Sequence, residues 1–166
     1  MFRWGFVPHW AANAKGPRPV NAKVETLAEK PAFRDSFRER RCLIPADGFY
    51  EWRTTPDGKK PLFYRLKSGE LMALAGVWDV WRGPTEKLFT CAIITTSCNS
   101  LIEPVHDRMP AILDPSRYAQ WLDPKNADAG PLLSLLSPWP ADDMAAVAAN
   151  PWVNNARNEG PASLSA

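Results

Sequence analysis

From Cys42 onward the chain reads as apolar runs broken by turn residues, which is the pattern of strands. Cys42–Ile44 and Gly48–Trp52 form two short extended pieces around Pro45-Ala-Asp47. Pro56-Asp-Gly58 marks a turn, which makes Leu62–Leu66 the hairpin partner of the second piece. Lys67-Ser-Gly69 is a further turn, and Leu71–Trp81 and Leu88–Thr95 follow as two longer buried strands joined through Arg82-Gly-Pro84. Before residue 42 the pattern differs. Residues 11–20, with Gly16, Pro17 and Pro19, form a loop, and a helix is predicted from about Thr26 to Arg40. There Thr26 caps, Glu29 stands three residues on, and Phe33 with Phe37 makes an i, i+4 apolar pair. Downstream, Ser97–Ile102 reads as a short helix and Val105–Leu113 as an edge or bulged strand holding Pro110. Pro115–Leu122 and Leu132–Leu136 read as short helices, and residues 141–153 contain a final strand. The expected class is α+β with a mostly antiparallel, β-rich core in one domain.

Composition sharpens this picture. Proline is 17 of 166 residues, about twice the ~5% background, which disfavours a helical bundle. Tryptophan is 8 of 166, and such rings are costly to expose without a task. The longest apolar run, near Leu71–Trp78, is far short of the roughly 20 residues that cross a bilayer. The opening Met1-Phe-Arg-Trp-Gly5 carries no basic segment followed by an apolar one, so no secretory leader is expected. Three cysteines, Cys42, Cys91 and Cys98, without paired spacing argue against a disulfide framework or a metal site and fit a reducing, cytoplasmic setting. Net charge is +2 but uneven: residues 1–60 hold 12 Lys/Arg against 7 Asp/Glu, and the rest hold 8 against 11. A basic front half is compatible with a polyanionic partner or with a solvated helix face around Arg34–Arg41.

Candidate chemistry gathers in a few segments. In Val105-His-Asp-Arg-Met-Pro110, strand alternation puts His106 and Arg108 on one side, which suits an anionic ligand with an imidazole at hand. A structural histidine at a strand end is the competing reading. In Ala46-Asp-Gly-Phe-Tyr-Glu-Trp52, Glu51 is a carboxylate on an apolar strand, a group that is either paired or functional. In Val20-Asn-Ala-Lys-Val-Glu-Thr26, Asn21 and Lys23 share a face, while Glu25 and Thr26 are explained by helix capping. Trp4 reads as a core ring. Trp10, followed by a polar loop, is a candidate for stacking on bases. Small-hydrophobe packing is the simplest account of the cysteines, although Cys98 with His106 is a geometrically possible pair.

Taken together, these segments resemble the SOS response-associated peptidase (SRAP) family. The resemblance rests on Trp4-Gly-Phe-Val-Pro-His-Trp10, Asn21-Ala-Lys-Val-Glu-Thr26, Arg41-Cys-Leu-Ile-Pro-Ala-Asp-Gly-Phe-Tyr-Glu-Trp52, Ala75-Gly-Val-Trp78, Ile94-Thr-Thr-Ser-Cys-Asn99 and His106-Asp-Arg-Met-Pro110, in that order, with Val153–Gly160 similar to the closing motif. It implies a β-rich SRAP-like fold with a barrel-like core and a few short helices. It also implies a protein that binds single-stranded DNA and acts on abasic sites, without a metal or other cofactor. In that family an N-terminal cysteine captures the ring-opened sugar as a thiazolidine, a covalent protein–DNA crosslink, and self-processing underlies the peptidase name. By resemblance, Asn21 orients the amine and sugar, Glu51 is the acid/base carboxylate and His106 assists ring opening. Lys23, where arginine is usual, with Thr95 and Arg108, would contact phosphate, and Trp10 would stack on a base. The family pattern places Met-Cys-Gly-Arg roughly 60 residues ahead of the Trp-Gly motif, which stands here at Trp4-Gly5. Residues 1–166 are therefore expected to be one SRAP domain lacking its first strands and its nucleophile, since residue two is Phe2. Exposed apolar surface and self-association would follow. Cytoplasmic, nucleoid-associated localisation is expected. The rival readings are a non-catalytic single-strand-binding module and a hydrolytic cysteine peptidase using Cys98 or Cys42 with His106.

Overall fold

Two sheets face each other across an apolar seam, and short helices cover the far side of the larger one. A computed structural model describes residues 1–158 and 160; Glu159 of the closing segment lies outside the described residues. The larger sheet contains β1 (Phe2–Trp4), β2 (Asn21–Lys23), β3 (Arg41–Ala46), β6 (Met72–Arg82), β7 (Lys87–Ser97) and β8 (Arg108–Pro110). The smaller is an antiparallel meander of β4 (Phe49–Thr55), β5 (Gly58–Leu66) and β9 (Met144–Ala148), in the order β4-β5-β9. The helices are α1 (Arg34–Glu39), α2 (Tyr118–Leu122) and α3 (Ala129–Ser134). The architecture is thus α+β, a half-barrel of mixed strands with a second sheet.

The long apolar runs become the central strands because the larger sheet is covered on both faces. Along β6, Ala75 and Val77 join Ala92 and Ile94 of β7 under Phe37, Trp121 and Leu132 of the helices. The opposite parity, Met72 and Leu74, meets Tyr64 and Leu66 of β5 and Met144 of β9 in the seam. The predicted hairpin is present, with Thr55 opposite Gly58 and Gly58 at φ +108°, a conformation that favours glycine. Between β3 and β4 the chain passes from one sheet to the other at Gly48. A Cβ there would lie 2.2 Å from the Tyr64 carbonyl and 2.6 Å from the Phe63 ring. Only glycine fits that crossing.

β7 is bonded along both edges. On one side β1 and β2 lie parallel to it in succession, with Trp4 opposite Cys91, Asn21 opposite Ile93 and Lys23 opposite Thr95. On the other side β6 pairs with it as far as Gly76 opposite Ile93. Beyond that point β8 takes over, with Thr95 opposite Pro110 and Ser97 opposite Arg108. The Ala111 N–H donates to Ile94 O while the Ala75 N–H donates to Ala111 O, so residues 108–113 wedge between the separating ends of β6 and β7. Pro110 therefore sits in a short strand inserted at a split, where the sequence suggested an edge or bulge.

Two predicted helices are shorter or absent. In place of a helix over 26–40 there is a single 3₁₀ turn at Val24–Thr26, and α1 begins only after Pro31, where Phe33 and Arg34 donate to Lys30 O. Proline disfavours helical geometry in Lys30 and lacks the donor needed to continue the ladder. The Thr26 hydroxyl makes no cap bond and is buried without a partner. Of the predicted helix over Ser97–Ile102, Ser97 ends β7 and the rest turns, because the Asn99 side chain accepts from the Leu101 and Ile102 amides, competing with helical bonding.

Arg41, at the start of β3, ties the helices to the sheet. Its guanidinium donates to the carbonyls of Phe37 and Arg38 at the end of α1, and to those of Trp121, Asp123 and Asn126 at and after the end of α2, at 2.5–2.9 Å. It also stacks 5.6 Å from the Trp121 ring. Arg41→Met should cost about 3–5 kcal/mol, because five carbonyls, two of them buried, lose a charged donor at once. Arg41→Lys should recover only part of that loss, since an ammonium cannot reproduce the planar fork. Urea denaturation midpoints of the three proteins check both statements.

Candidate functional site

The seam opens at one end into a cleft of about 810 Å³ whose two walls come from the two sheets. β7 and its neighbours supply one wall. Register puts Trp4, Asn21, Ile93, Lys23 and Thr95 on a single face, because parallel partners at matching levels point the same way. β4 supplies the other wall with Glu51, flanked by Tyr50 and Trp52. His106, Asp107 and Arg108 enter from the turn leading into β8.

Glu51 and His106 meet across the cleft, with Glu51 Oε1 3.9 Å from His106 Nδ1. Burial raises the Glu51 carboxyl above its ordinary value; His106 pulls the other way and Asp107 adds to the rise. The imidazole is held by its own turn. Nδ1 lies 2.9 Å from the Arg108 amide nitrogen, 3.1 Å from Arg108 O and 3.4 Å from Asp107 Oδ1. His106 precedes β8, so it shares a side with Arg108 through a turn and not through strand alternation.

Arg108 is heavily engaged. Its Nη1 and Nη2 reach the two oxygens of Glu25, Nη2 at 2.9 Å, and Nη2 also donates to Thr95 O at 2.6 Å. The guanidinium holds the Glu25 carboxyl below its usual value. Glu25 therefore forms an ion pair across 83 residues and does not cap a helix. Lys23 stands beside this pair on the cleft wall.

Of the residues singled out from sequence, Asn21, Lys23, Glu51, Thr95, His106 and Arg108 come together here. Trp10 does not; it is 55% exposed and borders a separate apolar groove with Phe6, Pro8 and Pro17. The rings on the cleft are Trp4 and Trp52. Trp4 is not the core ring expected: it is 61% exposed, with its Nε1 donating to Val20 O at 2.8 Å. Trp52 is fixed by an Nε1 bond to Asn154 at 2.8 Å. The spacing Trp4, Asn21, Lys23 carries no signal in one dimension, since only pairing with β7 reveals that the three share a face. Trp52 lay in a segment already chosen for Glu51, and its position beside the carboxylate could have marked it.

No cysteine lines the cleft among the described residues. Burial, with Cys91 nearby, pushes the Cys42 thiol up to about 12, and burial also raises Cys91. Cys98 packs against the apolar seam. Neither Cys42 nor Cys91 has the activated environment of a nucleophilic thiolate. Among the described residues no helix is long and apolar enough to cross a membrane.

A family model described as SOS response associated peptidase (SRAP) matches residues 1–156. The chain belongs to this family. It is 48% identical over 162 residues to the abasic site processing protein YoqW of Bacillus subtilis (strain 168), covering 96% of this chain and 72% of that one. It is 33% identical over 196 residues to the abasic site processing protein HMCES of Rattus norvegicus, covering 98% of this chain and 55% of that relative. A crystal structure of a Bacteroides thetaiotaomicron protein superposes with a TM-score of 0.89 at 32% identity, over 98% of this chain and 74% of that one. Both of these relatives are abasic site processing proteins.

The raised Glu51 carboxyl has a consequence for stability. A folded-state value above the unfolded one means that this group favours folding at acid pH and loses that contribution as pH rises through the raised value. Glu51→Gln removes the buried charge, so its melting temperature should exceed wild type by roughly 1–3 °C near pH 8. The difference should shrink toward zero near pH 4. Thermal unfolding followed by circular dichroism at the two pH values checks this.

Proposed function

We propose that the cleft binds single-stranded DNA at abasic sites and promotes opening of the sugar ring. The observation that carries the reading is the Glu51–His106 pair, 3.9 Å apart on opposite walls of a cleft that also presents Asn21, Lys23 and Thr95. A carboxyl whose burial favours the protonated form is suited to act as an acid, and the imidazole facing it suits the role of its partner in proton transfer. An abasic sugar has no base to fill the cleft floor, which leaves room for both groups at the hemiacetal carbon. Asn21 orients the sugar, Lys23 and Thr95 meet the phosphate, and the exposed ring of Trp4 with the half-buried ring of Trp52 provides stacking surfaces for flanking bases. Trp10, in its separate groove, serves a base farther along the strand. Crosslinking as a thiazolidine needs a thiol and an α-amine on one residue. Among the described residues no cysteine lines the cleft, so the ring-opening chemistry read here rests on Glu51 and His106.

The test uses a single-stranded oligonucleotide with one abasic site, its intact counterpart and the duplex, with ring opening followed by oxime formation with hydroxylamine. The chain should prefer the abasic strand and accelerate oxime formation, with the rate falling as pH rises through the Glu51 value. Glu51→Gln and His106→Gln should each lose about 10²-fold or more of that acceleration. Binding with no acceleration, unchanged in both variants, would overturn the chemical part and leave a binding module. Acceleration that persists in a Cys42→Ala, Cys98→Ala protein and disappears in Glu51→Gln would separate this chemistry from a cysteine peptidase.

A further inference from the structure

Glu25 places its carboxylate on the fork of Arg108, the position a phosphate would take. Bidentate bonding to two oxygens is the geometry in which arginine holds either a carboxylate or a phosphate. Here Nη1 and Nη2 of Arg108 take the two oxygens of Glu25 on the wall of the cleft. The two partners are not equally anchored. Arg108 is fixed from behind by Nη2–H bonding to Thr95 O at 2.6 Å, with its Nε buried without a partner, and its side chain is only 15% exposed. The Glu25 side chain is 52% exposed and sits on a single 3₁₀ turn immediately after β2, so it is the member that can leave. Lys23, two residues earlier, lines the same cleft. The sequence assigned Glu25 to capping and, by resemblance, Arg108 to phosphate; here the Glu25 carboxylate occupies the Arg108 fork.

We propose that Glu25 is a specificity-determining residue, an internal substitute for phosphate that withholds Arg108 from an intact strand, so that Arg108 engages a phosphate only where the strand displaces Glu25. An ordinary single strand is then met by Lys23 and Thr95 without the Arg108 guanidinium. A strand seated deeply in the cleft, as an abasic one can be, brings a phosphate into competition with the carboxylate. The pair thereby lowers non-specific affinity while keeping the contact available to the strand that reaches the floor. This inference rests on the reading of the cleft as a strand-binding site.

The experiment measures binding of an intact oligothymidylate strand by fluorescence anisotropy across a salt series, for the full chain and its Glu25→Gln variant. One added phosphate contact steepens the slope of log K against log salt by about 0.7 on a single strand, which corresponds to about eightfold tighter binding at 50 mM salt and about threefold at 200 mM. Glu25→Gln should show both changes, and Glu25→Gln with Arg108→Gln should lose them. Glu29→Gln, which removes an exposed carboxylate elsewhere on the same segment, should leave the slope unchanged. Circular dichroism confirms folding, and Glu25→Ser serves as a second neutral variant if glutamine loosens the turn. An unchanged slope in folded Glu25 variants, or a gain that survives loss of Arg108, overturns the inference while leaving the strand-binding reading intact. Absence of binding to intact and abasic strands by every protein, wild type included, overturns the strand-binding reading itself.

Discussion

Everything at the cleft is hung on β7, an eleven-residue strand with hydrogen-bonding partners along both of its edges. Two short parallel strands share one edge, and β6 and β8 divide the other. A strand so saturated cannot slide, because a one-residue slip would turn its whole side-chain set to the opposite face. Four segments distant in sequence therefore deliver their side chains at heights fixed by one backbone. The three-residue strands β1, β2 and β8 would have no independent stability; their order is borrowed from β7.

The second wall obeys a different constraint. Glu51 belongs to the smaller sheet, which is joined to β7 through the apolar seam of Tyr64, Met72, Leu74, Ile102, Met109 and Met144. The carboxylate thus lies where two sheets part, close enough to solvent to titrate and enclosed enough for burial to raise its value. Carboxyl and imidazole come from separate layers, so their distance is a property of how the layers pack. The stacking of Phe49 on Tyr64, with centroids 5.3 Å apart, and the close passage at Gly48 fix that packing next to the site.

Much of this was legible in one dimension, and the reasons for what was not are physical. Strands β3 to β7 could be read because their apolar runs and turn residues act locally, as at Pro56-Asp-Gly58. The helix expected over 26–40 failed because Pro31 outweighed the Phe33–Phe37 pair. At the site, alternation correctly paired Asn21 with Lys23, while Glu25 and Thr26 were assigned by a capping rule that their tertiary contacts override. Trp4 was misjudged because its exposure depends on β7, some 87 residues downstream of it. Local rules find elements; shared faces between elements require the pairing.

Arg41 joins two helix ends whose other contact is the packing of the Phe37 ring on Trp121. Five carbonyls from two separated segments, residues 37–38 and 121–126, share one positive charge. Neither segment can open without stranding the donors that serve the other. The end of α1 and the end of α2 therefore behave as one unit of local unfolding, and their amides should lose protection from hydrogen exchange together although some eighty residues separate them. A chain whose helices are only five or six residues long gains in this way a cooperativity that none of them could supply from its own turns.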